Sequence, residues 1–406
     1  EITFHAVGHE GARFASWSST VSNAPQGSGS SYTLPISSNT PPGVYIVTGH
    51  GELGCDHVAT VIVIRVGMTA YRPTTEGPAY GIPFDKHEVP EDLEETPGAG
   101  IRVNGDTESG TNENDLIEVE LNAEPYPTPS GLTYVLKRQN SNIKVWDSQT
   151  MGTAILDSGT EATITFSAAT KTVWVENPSG GSADLEFIAR SGTTDVCKDK
   201  VHFYPFTSIV IALGGETQNP SDPADPNNGI YQLAIDLYNQ GYDVHMYDED
   251  AVDYGGAGAT YNEVVNAVQH RGVSQVAVYG YSHGGGSTFL LVNLLNNNRG
   301  AIGTFTIPFT AYIDAVEDEF MGDMNQEHRR PPSSAFHVNY YQEGVANPLS
   351  PWFDYGLDGG PIGDPAPGDP AGVNVDAGGQ TIRHGEIDEH GPAINAIRNG
   401  IMLVPK

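Results

Sequence analysis

The sequence predicts an α/β domain with a mostly parallel sheet, preceded by all-β, sandwich-like modules. In the first half, short β-branched and aromatic runs alternate with Ser, Asn, Pro and Gly clusters, without helical periodicity. From residue 207, nearly unbroken apolar runs alternate with segments of helical spacing, which is typical of βαβ units. We therefore divide the chain into a β-rich module (1–70), a Pro-rich acidic linker (71–100), a β-sandwich-like module (101–206) and an α/β domain (207–406).

The strands of the first half are short and separated by turn residues. In the first module they are expected at 2–7, 12–17, 44–48 and 58–66. In the second module they are expected at 116–121, 132–136, 144–146, 163–166, 172–176, 184–189 and 201–204. Strands of this length and spacing favour a small antiparallel sandwich.

The second half has a different pattern. Strands are expected at 207–213, 242–247, 275–279, 303–309 and 335–341, and helices at 229–240, 261–271, 284–298 and 392–401. Gly241 stands where a helix C-terminal cap belongs. Strands that alternate with helices of this length predict a parallel sheet covered on both faces.

Composition excludes several classes of partner. The chain contains 51 Asp and Glu against 19 Lys and Arg, which gives a formal charge of −32. Nucleic acid is not an expected partner, because binding it requires clustered Lys and Arg, and anionic membrane surfaces would repel the chain. No run reaches the ~18 apolar residues that a membrane-spanning helix needs. The low Lys content and Asp-rich composition predict a secreted protein, and we expect its signal peptide to have been removed.

One motif in the second half carries chemistry. The third strand of the α/β domain runs into Gly280-Tyr281-Ser282-His283-Gly284, and a helix starts at once. A Ser on such a sharp turn projects its Oγ above the sheet, and flanking glycines remove the Cβ atoms that would clash. The helix N-terminus directs backbone N–H dipoles at developing negative charge. Neither G-x-G-x-x-G nor G-x-x-x-x-G-K-[ST] is present, so a nucleotide-binding loop is not indicated.

In this context the segment VAVYGYSHGGG, residues 276–286, resembles the α/β-hydrolase superfamily on its lipase and esterase side. The resemblance covers about residues 207–406, and the β-rich first half has no counterpart in a minimal hydrolase of that kind. It implies a Ser nucleophile, a His base, an Asp or Glu that orients the His, and an oxyanion hole of backbone N–H groups. The implied chain order is Ser, acid, His, with Ser282 as the nucleophile.

Four histidines follow the motif and are candidates for the base: His328, His337, His384 and His390. His384 is the first choice, because it lies in a short loop between the last extended stretch and the terminal helix. The string RHGEID around it also resembles the histidine loop of many esterases. His390 is the alternative.

Candidates for the acid and for the oxyanion hole follow from strand ends and from the resemblance. Asp314 ends the extended run 304–313, at the strand edge where open α/β sheets assemble their sites, and Asp354 and Asp358 are alternatives one strand later. The resemblance implies that the N–H of His283 and an N–H of the loop after the first strand form the oxyanion hole. In that loop Glu216 is the expected donor and Gly215 the alternative, although Gly214 stands where the lipase loop has His.

Two weaker patterns concern metals. The histidines and cysteine of the first module match no standard zinc spacing, so no metal site is predicted there (His5, His9, His50, Cys55 and His57). The acidic stretch between Asp106 and Asp115 resembles a degenerate calcium loop, and otherwise no cofactor is expected. Cys55 and Cys197 are either bridged or separate, and the sequence leaves both open.

The leading functional hypothesis is a secreted serine hydrolase that acts on carboxylic esters. Its β modules would bind a polymer, a cell surface or another copy of the chain. The alternative is a catalytically idle protein of the same fold that serves as a structural or adhesive component of an extracellular assembly. An acyltransferase would use the same three residues with a different acceptor.

Overall fold

The computed structural model describes residues 2–5, 14–22, 24–51, 54, 56–71, 101–102, 116–149, 151–177, 181–204, 206–216, 218, 220, 228–270, 272–316, 328–342, 359–363, 371–377 and 382–406. The predicted linker, the acidic stretch between Asp106 and Asp115, and Cys55 lie outside these residues, apart from Tyr71 at the linker's start. Within the described chain, no helix combines the length and the apolar character needed to cross a bilayer.

Small antiparallel sheets form the start of the chain. The strands are β1 (Ile2–His5), β2 (Phe14–Ser19), β3 (Ser31–Leu34), β4 (Gly43–Gly51), β5 (Asp56–Val63) and β6 (Arg65–Tyr71). β1 pairs with β3, and β4 lies between β2 and β5. Their shared core contains Trp17, Tyr32, Leu34 and Val47. The predicted β-rich character of this region is confirmed.

One predicted strand is two strands in the structure. Residues 58–66 are interrupted at Ile64, and β6 then joins the sheet of the following module. Its register pairs Met68 with Leu121 of the next module. The continuous apolar run hides this break, because one β-branched residue between two strands does not alter the pattern.

A β-sandwich follows, as predicted. Its further strands are β7 (Ile101–Arg102), β8 (Ile117–Glu124), β9 (Leu132–Arg138), β10 (Lys144–Trp146), β11 (Ala154–Leu156), β12 (Glu161–Ile164), β13 (Thr170–Glu176), β14 (Ala183–Ser191) and β15 (Thr194–Tyr204). The two sheets have the orders β11-β10-β13-β8-β6 and β12-β9-β14-β15-β7. Inward residues of both sheets, among them Val119, Leu136 and Phe187, form one core, as expected of a sandwich.

The second half of the chain contains a six-stranded parallel sheet. Its strands are β16 (Ser208–Leu213), β17 (Val244–Tyr247), β18 (Gln275–Tyr281), β19 (Thr306–Ile313), β20 (Ser334–Tyr341) and β21 (Ala371–Asp376), in the order β17-β16-β18-β19-β20-β21. The helices are α1 (Gly229–Asn239), α2 (Ala259–His270), α3 (His283–Asn297), α4 (Arg299–Ile302), α5 (His384–Ile387) and α6 (Gly391–Met402), with a 3-10 turn at Glu249–Ala251. One face of the sheet packs with α1 and α6, and the other with α2 and α3.

The sheet brings three strand ends together at one edge. All six residues of β16 are buried, because helices cover both faces of the sheet. In the registers, Leu213 lies opposite Gly280 and Tyr281 lies opposite Ile313. The residues that follow β16, β18 and β19 are therefore neighbours at the carboxyl edge of the sheet, where such folds bind ligands.

Candidate active site

Ser282 occupies a strained turn between β18 and α3. Its φ of 55° and ψ of −128° lie where side-chain-bearing residues are rare, and such a conformation costs about 1–3 kcal/mol. The surroundings hold it there: the Ser282 N–H donates to Ile313 O, and the Ser282 carbonyl accepts from the N–H groups of Gly285 and Val316, all at 2.9–3.0 Å. The turn therefore fixes where the side chain points.

The flanking glycines are required by close approach. A Cβ on Gly280 would lie 2.1 Å from the Gly284 carbonyl oxygen, and a Cβ on Gly284 would lie 2.3 Å from the Gly214 carbonyl oxygen. A Cβ on Gly215 would lie 2.8 Å from the Cβ of Ser282. The loop after β16 thus runs directly against Ser282, which explains the run of glycines in both segments.

Ser282, His384 and Asp314 form a continuous hydrogen-bonded series. The Ser282 Oγ lies 2.8 Å from the His384 Nε2. The His384 Nδ1 lies 2.7 Å from the Asp314 Oδ2. The three first choices of the sequence analysis therefore meet, although 102 residues separate Ser282 from His384 along the chain.

Asp314 is fully buried, and four donors surround its carboxylate. Oδ1 accepts the backbone N–H groups of Gln342 at 2.9 Å and Gly359 at 3.0 Å. Oδ2 accepts the Gln342 Nε2–H at 3.0 Å in addition to the His384 ring. Because an ionised carboxylate only accepts, these donors stabilise the charge and fix the carboxylate plane.

His384 is held by the residue before the nucleophile. The Tyr281 ring stacks on the His384 ring with 5.2 Å between centroids, and the Tyr281 hydroxyl donates to the His384 carbonyl at 2.8 Å. Burial raises the pKa of Tyr281 well above its ordinary value, so the phenol remains a neutral donor. Sequence analysis gave no role to Tyr281, Gln342 or Gly359. For Gln342 a signal existed, since it directly follows a strand at the same sheet edge.

The alternative histidines lie elsewhere. The His337 Nδ1 lies 2.8 Å from the Thr310 Oγ1 within the sheet, and burial lowers the pKa of His337 to about 3, so its ring is neutral. His390 precedes α6, and its N–H donates to Ile387. The His328 ring lies beside Gly360, while Asp354 and Asp358 lie outside the described residues.

Two backbone N–H groups beside Ser282 fit an oxyanion hole. The N–H groups of His283 and Glu216 have no hydrogen-bond acceptor in the part of the chain that the structure describes. By contrast, the Gly215 N–H donates to the Gln218 Oε1 at 2.9 Å, so the alternative donor is engaged. The Glu216 carboxylate points to solvent, 3.5 Å from the His283 Nε2. These contacts favour Glu216 over Gly215.

The described residues contain no cluster of three or more His, Cys, Asp or Glu side chains that could hold a metal. His50 contacts Ser18 and Asp56, each at 3.0 Å. His9 and Cys55 lie outside the described residues, as does the stretch proposed for calcium, so those expectations stay untested.

Asp388 is a buried carboxyl at the rim of the site, with 1% of its surface exposed. Its Oδ2 accepts the Gln218 Nε2–H at 3.1 Å and the Gly229 N–H at 3.3 Å. Burial, reinforced by the charge of Glu389, outweighs these bonds and raises the Asp388 pKa from 3.8 to about 6. The folded state therefore favours the protonated acid more than the unfolded chain does. This contribution to stability is fully present below pH ~4 and is lost as the pH rises through ~6.

We expect Asp388→Asn to remove this pH dependence, because asparagine keeps an acceptor oxygen without a charge. The free energy of unfolding of the variant minus that of the native chain should be larger, that is more stabilising, at pH 8 than at pH 4 by about 2–3 kcal/mol. Urea unfolding of the variant and of the native chain at both pH values measures this difference. An equal difference at both pH values would contradict a raised pKa.

Comparisons with known proteins place the chain in no family. No protein-family model matches it, and no curated protein matches it. A solved structure described as "BspA_C_mut" is 11% identical, with 43% of this chain and 58% of that chain covered and a TM-score of 0.19. The structure of BcpA, the major pilin subunit of Bacillus cereus, is 9% identical, with 53% and 71% covered and a TM-score of 0.20. A glycosyl hydrolase family 2 member from Bacteroides cellulosilyticus DSM 14838 is 9% identical, with 90% and 67% covered and a TM-score of 0.15. Scores this low support no argument from shape.

The resemblance to the α/β-hydrolase superfamily is therefore corrected. No model of that superfamily matches, and the similar structures named above are described as other proteins, one of them a pilin subunit. The physical reason is that the same arrangement of a strand, a tight turn and a helix can arise on unrelated folds, so the motif alone does not assign a family. The hydrogen bonds among Ser282, His384 and Asp314 are observed in the structure and do not depend on a family assignment.

Proposed function

We propose that this chain is a serine hydrolase that cleaves carboxylic esters through Ser282, His384 and Asp314. This proposal rests on two hydrogen bonds of His384, one to the Ser282 Oγ at 2.8 Å and one to the Asp314 Oδ2 at 2.7 Å. A carboxylate can only accept, so the His384 Nδ1 must donate its hydrogen to Asp314. In a neutral imidazole the Nε2 is then an acceptor facing the Ser282 hydroxyl, which is the tautomer that a general base needs.

The reaction follows from these positions. The His384 Nε2 takes the Ser282 proton as Oγ attacks the ester carbonyl carbon, and the carbonyl oxygen becomes an oxyanion between the N–H groups of His283 and Glu216. His384 then gives the proton to the leaving alcohol, and an acyl-serine remains. Water, deprotonated by the same ring, attacks the acyl carbon; the bond from that carbon to Ser282 Oγ then breaks, His384 returns the proton to Oγ, and the acid is released. Transfer to an alcohol in place of water would make the chain an acyltransferase.

The setting proposed for this activity is extracellular. A formal charge of −32 on 406 residues disfavours polyanionic substrates, so we propose neutral or cationic esters. We propose that the β modules bind a polymer, a cell surface or a second copy of the chain.

A second candidate is a catalytically idle component of an extracellular assembly. Three exposed apolar side chains on β4 and β5 favour it: Val44, Ile46 and Val58 have 51%, 43% and 64% of their surface exposed. Val44, Ile46 and Thr48 are alternate residues of β4, so their side chains lie on the same face of the sheet. Val58 on β5 pairs with Thr48 and therefore lies on that face too. Exposed apolar patches are typical of contact surfaces.

One experiment separates the two candidates. The folded chain is treated with a fluorophosphonate probe, and the modified residue is identified by mass spectrometry. A serine hydrolase should be labelled at Ser282 with loss of fluoride, and heat-denatured protein should remain unlabelled, because activation of the hydroxyl depends on His384. Hydrolysis of short p-nitrophenyl esters should accompany labelling. A folded chain that neither reacts nor turns over would favour the structural role.

A further inference from the structure

We infer that Gln218 is a positioning residue for the oxyanion hole, and that Asp388 holds Gln218 in place. This inference rests on the proposed function, because it assigns roles within the same site. Neither side chain contacts Ser282 or His384 through a described hydrogen bond, so both would act through the loop after β16.

Gln218 binds both peptide groups of Gly215. Its Oε1 accepts the Gly215 N–H at 2.9 Å, and its own backbone N–H donates to the Gly215 carbonyl at 3.0 Å. Its carbonyl in turn accepts the Tyr231 hydroxyl at 3.0 Å, which anchors the turn to α1. Two hydrogen bonds therefore join Gly215 to Gln218, and a third joins Gln218 to Tyr231.

These bonds fix the direction of the proposed oxyanion donor. The Gly215 carbonyl and the Glu216 N–H belong to one planar peptide unit and point in opposite directions. Because Gln218 binds the carbonyl, the Glu216 N–H must point away from the turn. Gln218 also occupies the Gly215 N–H, which removes that group as a competing donor.

Asp388 connects this turn to the segment that carries the base. It follows His384 by four residues, just after α5, and accepts the Gln218 Nε2–H at 3.1 Å. That bond orients the Gln218 amide, with its nitrogen toward Asp388 and its oxygen toward Gly215. A Cβ on Gly229, whose N–H binds the same carboxylate oxygen, would lie 1.9 Å from the Asp388 carbonyl oxygen, so this junction is tightly packed. The base and the oxyanion donor are thereby joined through two side chains.

The test replaces Gln218 with methionine, which has similar length and forms neither strong hydrogen bond. Two quantities are measured: kcat and KM for p-nitrophenyl butyrate, and hydrogen exchange of the Gly215 amide by mass spectrometry. We expect kcat to fall about 10–100-fold with KM within about twofold, because loss of an oxyanion donor affects the transition state more than the bound ester. We expect Gly215 exchange to accelerate at least about tenfold, because its acceptor is gone. Gln232→Met, an exposed position on α1, should change neither quantity.

Each outcome decides the inference. Slower kcat with faster Gly215 exchange supports it. Unchanged exchange overturns it whatever the activity, and faster exchange with unchanged kcat also overturns it. A rise in KM that matches the loss in kcat/KM would indicate a binding defect and count against positioning. If the native chain itself shows no turnover and no labelling of Ser282, the proposed function fails, and the catalytic role of Gln218 fails with it. Faster exchange would then still show that the Gln218 side chain binds the Gly215 N–H.

Discussion

Replacing Ser282 with alanine is expected to reduce kcat for p-nitrophenyl esters by about 10⁴–10⁶-fold, because no other group can form the acyl intermediate. The residual rate should exceed the uncatalysed rate, since the N–H groups of His283 and Glu216 would still stabilise an oxyanion formed by water attack. Fluorophosphonate labelling should disappear entirely. The fold should be unaffected, because the hydroxyl forms one described hydrogen bond, to His384, and the backbone bonds of the turn do not depend on it.

The matched control for this change is Ser287→Ala. Ser287 is a buried serine in α3, the helix that follows Ser282, and its Oγ lies 3.4 Å from the Glu249 carbonyl oxygen. Its loss should leave kcat within about twofold, since a long hydrogen bond contributes little. If Ser282→Ala retained the full rate, the nucleophile would be another group and the proposed mechanism would be wrong.

The sequence predicted most of the elements in the second half of the chain. Buried parallel strands such as β16 appear as apolar runs, and amphipathic helices such as α1 appear as periodic ones, so both patterns are visible locally. In the first half the short strands β3, β7 and β11 and the transfer of β6 to the sandwich were missed. Register and sheet membership depend on pairing across distance, and the sequence of one strand does not encode its partner.

In the candidate site, too, the residues marked by local sequence were predicted, and those that depend on distant contacts were missed. Ser282 was visible because its turn needs glycines on both sides, and Asp314 because it ends a strand at the edge where β18 also ends. Gln218 and Asp388 were not visible, because their contact joins residues 170 positions apart. Gly359 lies within a Gly- and Pro-rich stretch where nothing local distinguishes it.

Backbone strain marks two of the three candidate residues. Four non-glycine residues in the described chain have positive φ, and two of them are Ser282 and Asp314. Strain of this kind persists only where surrounding contacts over-determine the conformation, and it is common at functional sites. Here the Ser282 N–H donates to the Ile313 carbonyl and the Val316 N–H donates to the Ser282 carbonyl, so Ser282 is bonded to the backbone on both sides of Asp314. This observation is independent of any family resemblance.

Replacing Asp314 with asparagine is expected to lower kcat by about 10⁴-fold while leaving the fold intact. Two backbone N–H groups point at Oδ1, so the asparagine oxygen must take that position and its NH₂ group must take the position of Oδ2. The NH₂ group then donates to the His384 Nδ1, which becomes an acceptor, and the ring proton moves to Nε2. In that tautomer Nε2 cannot take the Ser282 proton. The Gln342 amide can rotate and present its oxygen to the new NH₂ group.

Asp243→Asn provides the matched control, because Asp243 and His245 form a second buried pair, with 2.9 Å between the Asp243 Oδ1 and the His245 Nε2. That pair lies on β17 and its approach, away from the carboxyl edge that carries Ser282. The same chemical change there should leave kcat within about twofold, even if stability falls by about 1–3 kcal/mol. Steady-state rates and thermal unfolding of both variants make the comparison. A large loss in kcat from Asp314→Asn alone, at matched stability, would tie the rate to the tautomer of His384. Equal losses in both variants would instead indicate a general effect of disturbing buried carboxylates, and Asp314 would lose its assigned role.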